Sequence, residues 1–146
     1  MPKARKITKR DRSPLYRLIA AGQLAHRAML APALDRGLAA GDETLLYLLA
    51  TMQSPTAAEL AGLTGLSAEA LKARLGGLID RELVVLRATG PDMLPNLRLT
   101  ARGARLEALL ADRWIDLEGA LLGELGPRQR KTLGKRLARI INLLEA

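Results

Sequence analysis

Apolar residues recur at helical spacing almost from the start of the chain. Ser13-Pro14 reads as an N-cap followed by the first helical residue, where proline's missing N–H is harmless. Behind it, Leu15, Leu18, Ile19, Gly22, Ala25, Met29 and Ala33 follow a three-to-four-residue period and predict a first helix. Pro32 is expected to kink or end that helix, and Gly37 is a second stop signal. Asp42-Glu43 then places negative charge at a helix start, ahead of the dense run Leu45, Leu46, Leu48, Leu49 and Met52; Ser54-Pro55 ends this second helix. Thr56-Ala57-Ala58-Glu59 has the form of a capping box and opens a short helix expected to end at Gly62 or Leu63. After Thr64-Gly65-Leu66, Ser67 caps a further helix to about Arg81, with Leu71, Leu75, Leu78 and Ile79 set inward. Two helices joined by a tight glycine-containing turn form a helix-turn-helix candidate.

The period changes at residue 83. Leu83-Val84-Val85-Leu86 and Asn96-Leu97-Arg98-Leu99 read as short strands, and the turn formers between them predict a hairpin with a long loop. A helix-turn-helix followed by a hairpin is a winged helix. Thr100 then caps a long helix striped by Leu106, Leu109, Leu110, Trp114, Leu117, Leu121 and Leu122. Gly126-Pro127 separates it from a last helix carrying Leu133, Leu137, Ile140, Ile141 and Leu144. A small winged helix is complete without these two helices, so their stripes need another cover. A second copy of the chain, meeting them together with the first helix, supplies it, and C2 is the commonest symmetry for such a pair. An intramolecular bundle is the alternative. The expected class is mainly α (α+β), a winged helix-turn-helix with N- and C-terminal dimerisation helices. Residues 1–12 are expected to be a basic flexible arm and 13–146 a single domain. Within it the winged helix covers about 42–100, and the dimerisation helices about 14–36 and 101–145.

Composition narrows the function classes. Of 146 residues, 32 are leucine and 24 alanine, phenylalanine is absent, and the aromatics are Tyr16, Tyr47 and Trp114, which excludes an all-β domain. With no cysteine there is no disulfide, thiol catalysis or thiolate metal site, and with His26 the only histidine no histidine cluster can hold a metal. No paired carboxylates in a general-acid setting, nucleophile–base arrangement or phosphate-binding glycine motif is visible, so neither an enzyme nor a cofactor is expected. No run of about 18 uncharged apolar residues is present to span a membrane, and the expected location is cytoplasmic. The formal charge of +8 favours a polyanionic partner. Its distribution is uneven. Lys3, Arg5, Lys6, Lys9, Arg10 and Arg12 crowd the first twelve residues, and Arg128, Arg130, Lys131, Lys135, Arg136 and Arg139 lie on the last helix.

The order of elements resembles the MarR family of bacterial transcription regulators. The matching features are the apolar second helix, Thr56-Ala57-Ala58-Glu59-Leu60-Ala61, Gly65-Leu66-Ser67, Leu75 with Leu78, and Leu83-Val84. Above all, Leu99-Thr100-Ala101-Arg102-Gly103 resembles the family's Leu-Thr-x-x-Gly junction, where the second wing strand enters the next helix. The resemblance covers residues 14–145. It implies a homodimer held by its first and last helices: Leu15, Leu18, Trp114, Leu117, Leu121, Leu133, Leu137, Ile140, Ile141 and Leu144 in this chain. It also implies a sequence-specific regulator of duplex DNA, typically a repressor, often released by a small aromatic ligand held between the dimerisation and DNA-binding regions.

Candidate contacts follow. The outward face of the helix expected in the major groove carries Glu69, Ala70, Ala73, Gly76, Gly77 and Asp80, flanked by Lys72 and Arg74. Lys72 and Arg74 are the first choices for phosphate or base edge, and Glu69 can accept from a cytosine amino group. Thr56 and Ser67 cap helices whose N-termini suit a phosphate. Arg87 and Arg98 decorate the wing, and Arg5, Lys6, Lys9 and Arg10 offer salt-dependent, nonspecific affinity. Tyr16, His26, Tyr47 and Trp114 are the candidates for an effector pocket. Two positions depart from the family: Glu82 stands where a glycine is usual, and Leu94 takes the place of the wing arginine that follows the acid matched by Asp92. The bare face admits a second reading, a MarR-like protein-interaction module that packs Ala70, Ala73, Gly76 and Gly77 against a partner protein.

Overall fold

The computed structural model describes residues 3–89 and 94–146; residues 90–93 of the expected wing turn, Asp92 among them, lie outside the described residues, as do 1 and 2. Helix α1 (Pro14–Leu30) starts as its sequence predicts, with the Ser13 hydroxyl accepting from Tyr16 N at 3.1 Å. At Ala31 the chain tightens into a 3-10 helix, Ala31–Arg36, which carries Pro32 and ends the α-helical run. Helix α2 (Asp42–Thr51) and helix α3 (Ala57–Thr64) follow. The Thr56 hydroxyl accepts from Glu59 N at 3.2 Å. Helix α3 runs one residue past the expected stop, because Gly65 takes the left-handed C-cap conformation at φ 70°. Helix α4 (Ala68–Asp80) is capped by Ser67, whose hydroxyl accepts from Ala70 N at 3.1 Å.

The wing is an antiparallel pair, β1 (Val84–Thr89) and β2 (Leu94–Leu99), with Val84 opposite Leu99 and Thr89 opposite Leu94. Both strands extend toward the turn beyond the four-residue runs read from the sequence. Helix α5 (Ala101–Leu122) and helix α6 (Pro127–Glu145) complete the order. The chain falls into two compact units, residues 1–111 and 112–146.

In the first unit the core gathers Leu30 from α1, Leu45 and Leu46 from α2, Leu60 from α3, Leu71 and Leu78 from α4, Val84 and Leu97 from the wing, and Leu106 from α5. Ile79 corrects the sequence reading. It is 37% exposed, because one residue past Leu78 the helix has turned about 100° away from the Leu71–Leu75–Leu78 stripe. In the second unit α6 buries none of its residues.

The basic arm ends in one regular turn. Arg10–Arg12 is a 3-10 turn anchored by Asp11, which accepts from Thr8 N at 2.7 Å and from the Thr8 hydroxyl at 2.9 Å, and pairs with Arg5. The Thr8 amide, the Arg5 guanidinium and the Thr8 hydroxyl together hold the Asp11 carboxyl down at about 2.

The wing is set by a junction between α4, β1 and α5. Helix α4 ends in a Schellman motif: Leu83 N donates to Leu78 O at 3.0 Å and Glu82 N to Ile79 O at 2.9 Å. The residue that must adopt the left-handed conformation there is Glu82, at φ 59°. Thr100 closes on this turn twice and caps α5 once: its N–H donates to Leu83 O at 3.0 Å, its hydroxyl donates to Glu82 O at 2.5 Å, and the same hydroxyl accepts from Gly103 N at 3.0 Å. A Cβ on Gly103 would fall well inside contact with the Leu83 carbonyl oxygen. That is the physical content of the Leu-Thr-x-x-Gly spacing: a cap, a strand-to-turn latch and a helix shaved to let the turn's backbone through.

Two outcomes follow. Gly103→Ala lowers unfolding free energy by about 1–3 kcal/mol through overpacking, whereas Glu82→Gly, which relieves a strained φ, does not lower it; urea denaturation compares the two. For the arm, the sign is set by a depressed folded value: the anchored turn is stabilised above the ordinary carboxylate pKa of about 4 and loses that stabilisation as pH falls toward 2. The Thr8 amide proton resonance should therefore titrate with a midpoint near 2; a midpoint near the ordinary value would show that the anchor is not formed.

Candidate nucleic-acid interface

Helices α3 and α4, joined through Gly65, present α4 as the outer of the pair. Leu71, Leu75 and Leu78 point into the core, and Glu69, Ala70, Lys72, Ala73 and Asp80 are exposed. Lys72 is thus the cation on the outward face of this helix. Arg74, its expected companion, is engaged inside the fold: Nη1 donates to Ala40 O at 2.6 Å and meets Asp42 Oδ1 at 3.3 Å.

Asp42 belongs to an arrangement that sequence reasoning missed. Asp42 and Glu43 are both buried in the first turn of α2. Asp42 Oδ2 accepts from Ala39 N at 2.8 Å, and Glu43 Oε2 accepts from Gly41 N at 2.9 Å. The other Glu43 oxygen pairs with His26 Nδ1 on α1. One helix start is therefore tied to α1 through His26 and to α4 through Arg74. The signal in the sequence was two adjacent acids ahead of an apolar run. Their partners lie 17 and 32 residues away, where no periodicity points to them.

Arg81 explains one of the two helix glycines. Its Nε donates to Arg36 O at 3.2 Å and its Nη1 to Gly77 O at 2.9 Å, so the guanidinium lies back over α4. A Cβ at Gly77 would stand 3.1 Å from Nη1, and one at Gly37, itself at φ 74°, would stand 2.8 Å from Nη2. Gly76 has open space around it.

In the wing, Arg87 is exposed and pairs in register with Asn96. Arg98 Nε donates to the Ser54 hydroxyl at 3.0 Å, and Leu97 N to Pro55 O at 3.1 Å, so β2 is pinned to the α2–α3 connection. Arg98 also lines a cleft of about 530 Å³ with Leu49, Met52, Leu97 and Glu107, where burial pushes the Glu107 carboxyl up. Tyr16, His26 and Tyr47 do not line that cleft. Tyr16 instead lies beneath the Arg5 guanidinium at 5.9 Å, and Tyr47 is exposed. In the second unit Trp114 is exposed too.

No protein-family model matches the chain, and no curated protein does. Solved structures do. A MarR/EmrR family transcriptional regulator from Acinetobacter sp. ADP1 superposes with a TM-score of 0.80 at 17% identity, covering 95% of this chain and 99% of that one. MepR of S. aureus, solved as a complex with DNA, gives 0.76 at 17% identity over 94% and 99%. The transcriptional regulator PA3341 gives 0.74 at 27% identity over 90% and 98%. The chain has the MarR-family fold. Helices α3 and α4 form the helix-turn-helix of that fold, and the β1–β2 pair its wing. The MarR-like spacing of the Thr100 junction is thereby given its structural reason, and Glu82 keeps the left-handed conformation expected of the MarR glycine.

The internal use of Arg74 is testable. Arg74→Ala should destabilise the protein by about 1–2 kcal/mol, a value discounted for the guanidinium's partial exposure, by stranding buried Asp42. Exposed Lys72→Ala should change stability by less than about 0.5 kcal/mol. Denaturant midpoints of the two variants, with equal m-values, decide it.

Proposed function

We propose that the protein is a homodimeric transcription regulator that binds duplex DNA sequence-specifically, acting as a repressor released by a small ligand. The observation that carries this reading is a capped, solvent-facing α4 behind a tight turn, within a fold shared across nearly its whole length with MepR, solved as a complex with DNA. Lys72 and the helix N-termini at Thr56 and Ser67 offer phosphate contacts on that side, and Arg87 offers one from the wing. Glu69 and Ala73 are the side chains presented to base edges. Lys6, Lys9 and Arg10 add nonspecific attraction, with Arg5 held to Asp11. Arg74 and Arg98, tied within the fold, orient α4 and β2 and are not counted among the free cations.

Dimerisation is supported by what the single chain leaves uncovered. Leu15, Trp114, Leu121, Leu137, Ile141 and Leu144 are exposed, and Leu18, Leu117, Leu133 and Ile140 are only half-buried. A 19-residue helix with six cations and no buried side chain is marginal in water by itself. Covering five of its apolar residues contributes roughly 8–15 kcal/mol before the costs of association. A second reading rests on the exposed Ala70 and Ala73 beside the unfilled space at Gly76: a MarR-like module that docks a partner protein there.

The test is selection of binding sites from random duplex DNA, with light scattering to give the mass in solution. A dimer is expected, bound to two half-sites roughly 34 Å apart, with affinity falling steeply as salt rises. Lys72→Ala should weaken all sequences alike and flatten the log–log salt slope by about 2 for the two copies. A dimer without DNA affinity at low salt would overturn the regulator reading and leave the docking module, whose partner capture should be lost in Gly76→Leu.

A further inference from the structure

Helix α6 has two unlike sides. Leu133, Leu137, Ile140, Ile141 and Leu144 fall on one of them, the side that the proposed homodimer covers. Arg128, Lys131, Lys135 and Arg139 step by three, four and four residues and so run along the opposite side, about 16 Å in line. All four are exposed, and none makes a side-chain hydrogen bond or ion pair among the described residues.

The stripe is not balanced within its own helix. No acid stands between Pro127 and Leu144. Like charges at four-residue spacing, Lys131 with Lys135 and Lys135 with Arg139, weaken a helix, and a linear polyanion laid along them removes that cost. Arg130, in contrast, is used by the fold: its Nε donates to Leu122 O at 3.1 Å and to Leu125 O at 3.2 Å. A lipid surface fits badly, since a helix lying on it would bury the leucines and turn the stripe to water. A single strand fits badly too, because α6 has no aromatic residue on which bases could stack. A duplex matches, carrying one negative charge per about 1.7 Å of its axis.

We propose that the stripe of Arg128, Lys131, Lys135 and Arg139 docks the phosphate backbone of duplex DNA without regard to sequence. This surface shares no residue with α4 or the wing, and it lies in the second compact unit. A pairing that covers the apolar side of α6 leaves the stripe open, so the two contacts do not compete.

The experiment is chemical acetylation of the full chain at low salt, with and without a random-sequence DNA duplex, read lysine by lysine by mass spectrometry. The duplex should slow acetylation of Lys131 and Lys135 by about fivefold or more, and the protection should vanish as salt rises. Lys72, read in the same spectra, reports the α4 surface separately, so failure of the stripe and failure of the regulator reading are distinguishable. In a Lys72→Ala background, Arg128→Gln/Lys131→Gln/Lys135→Gln/Arg139→Gln should melt as its parent does, glutamine being a good helix former. It should lose about tenfold or more in affinity for the same duplex and flatten the log–log salt slope by about 3–4. Unslowed acetylation of Lys131 and Lys135, an unaltered affinity and salt slope, or stronger protection by vesicles of anionic lipid than by the duplex would each overturn the site.

Discussion

The backbone of Leu83 is the point on which the structure turns. Its carbonyl accepts from Thr100 N and faces the bare Cα of Gly103, while its N–H completes the Schellman closure of α4. Three elements meet there with no room for a side chain. Helix α4 must end, the wing must begin and α5 must start within contact distance of one peptide unit. Were α5 held off by a single methyl group, β2 would part from the α4–β1 turn, and the register from Val84–Leu99 outward would have no fixed origin.

A second constraint is electrostatic. Buried carboxylates are costly unless paired and hydrogen-bonded, and α2 begins with two of them. Each is satisfied twice, once by a backbone amide of the preceding turn and once by a side chain from another helix, His26 of α1 for Glu43 and Arg74 of α4 for Asp42. The amides fix the turn, and the two side chains fix which helices stand beside it. Net charge is therefore a poor guide to the charge offered to a partner. Arg74, Arg81 and Arg98 spend their hydrogen bonds on this fold, and the cations left on the outer side of α4 and the wing are few.

Local order was legible where a single residue dictates geometry. Ser13, Thr56, Ser67 and Thr100 all cap as read, because a side-chain oxygen three residues ahead of an orphan amide needs no tertiary information. The fold followed from the succession of periods. Ile79 was misplaced because four apolar residues in a nine-residue stretch exceed the width of the buried stripe, and only the packed neighbours decide which is left out. The contacts of His26 with Glu43 and of Arg74 with Asp42 were illegible, since they join residues whose approach the core alone determines.

Helix α6 carries a further implication. With no residue buried in its own chain, its ordering would, in the proposed homodimer, depend on how many copies are present, since association stabilises a folded segment in proportion to the logarithm of concentration. The abundance of the protein in the cell then becomes a physical variable of its C-terminal region. On that proposal, dilution below the pairing constant would unravel the helix and leave proteases the segment that marks an unassembled chain.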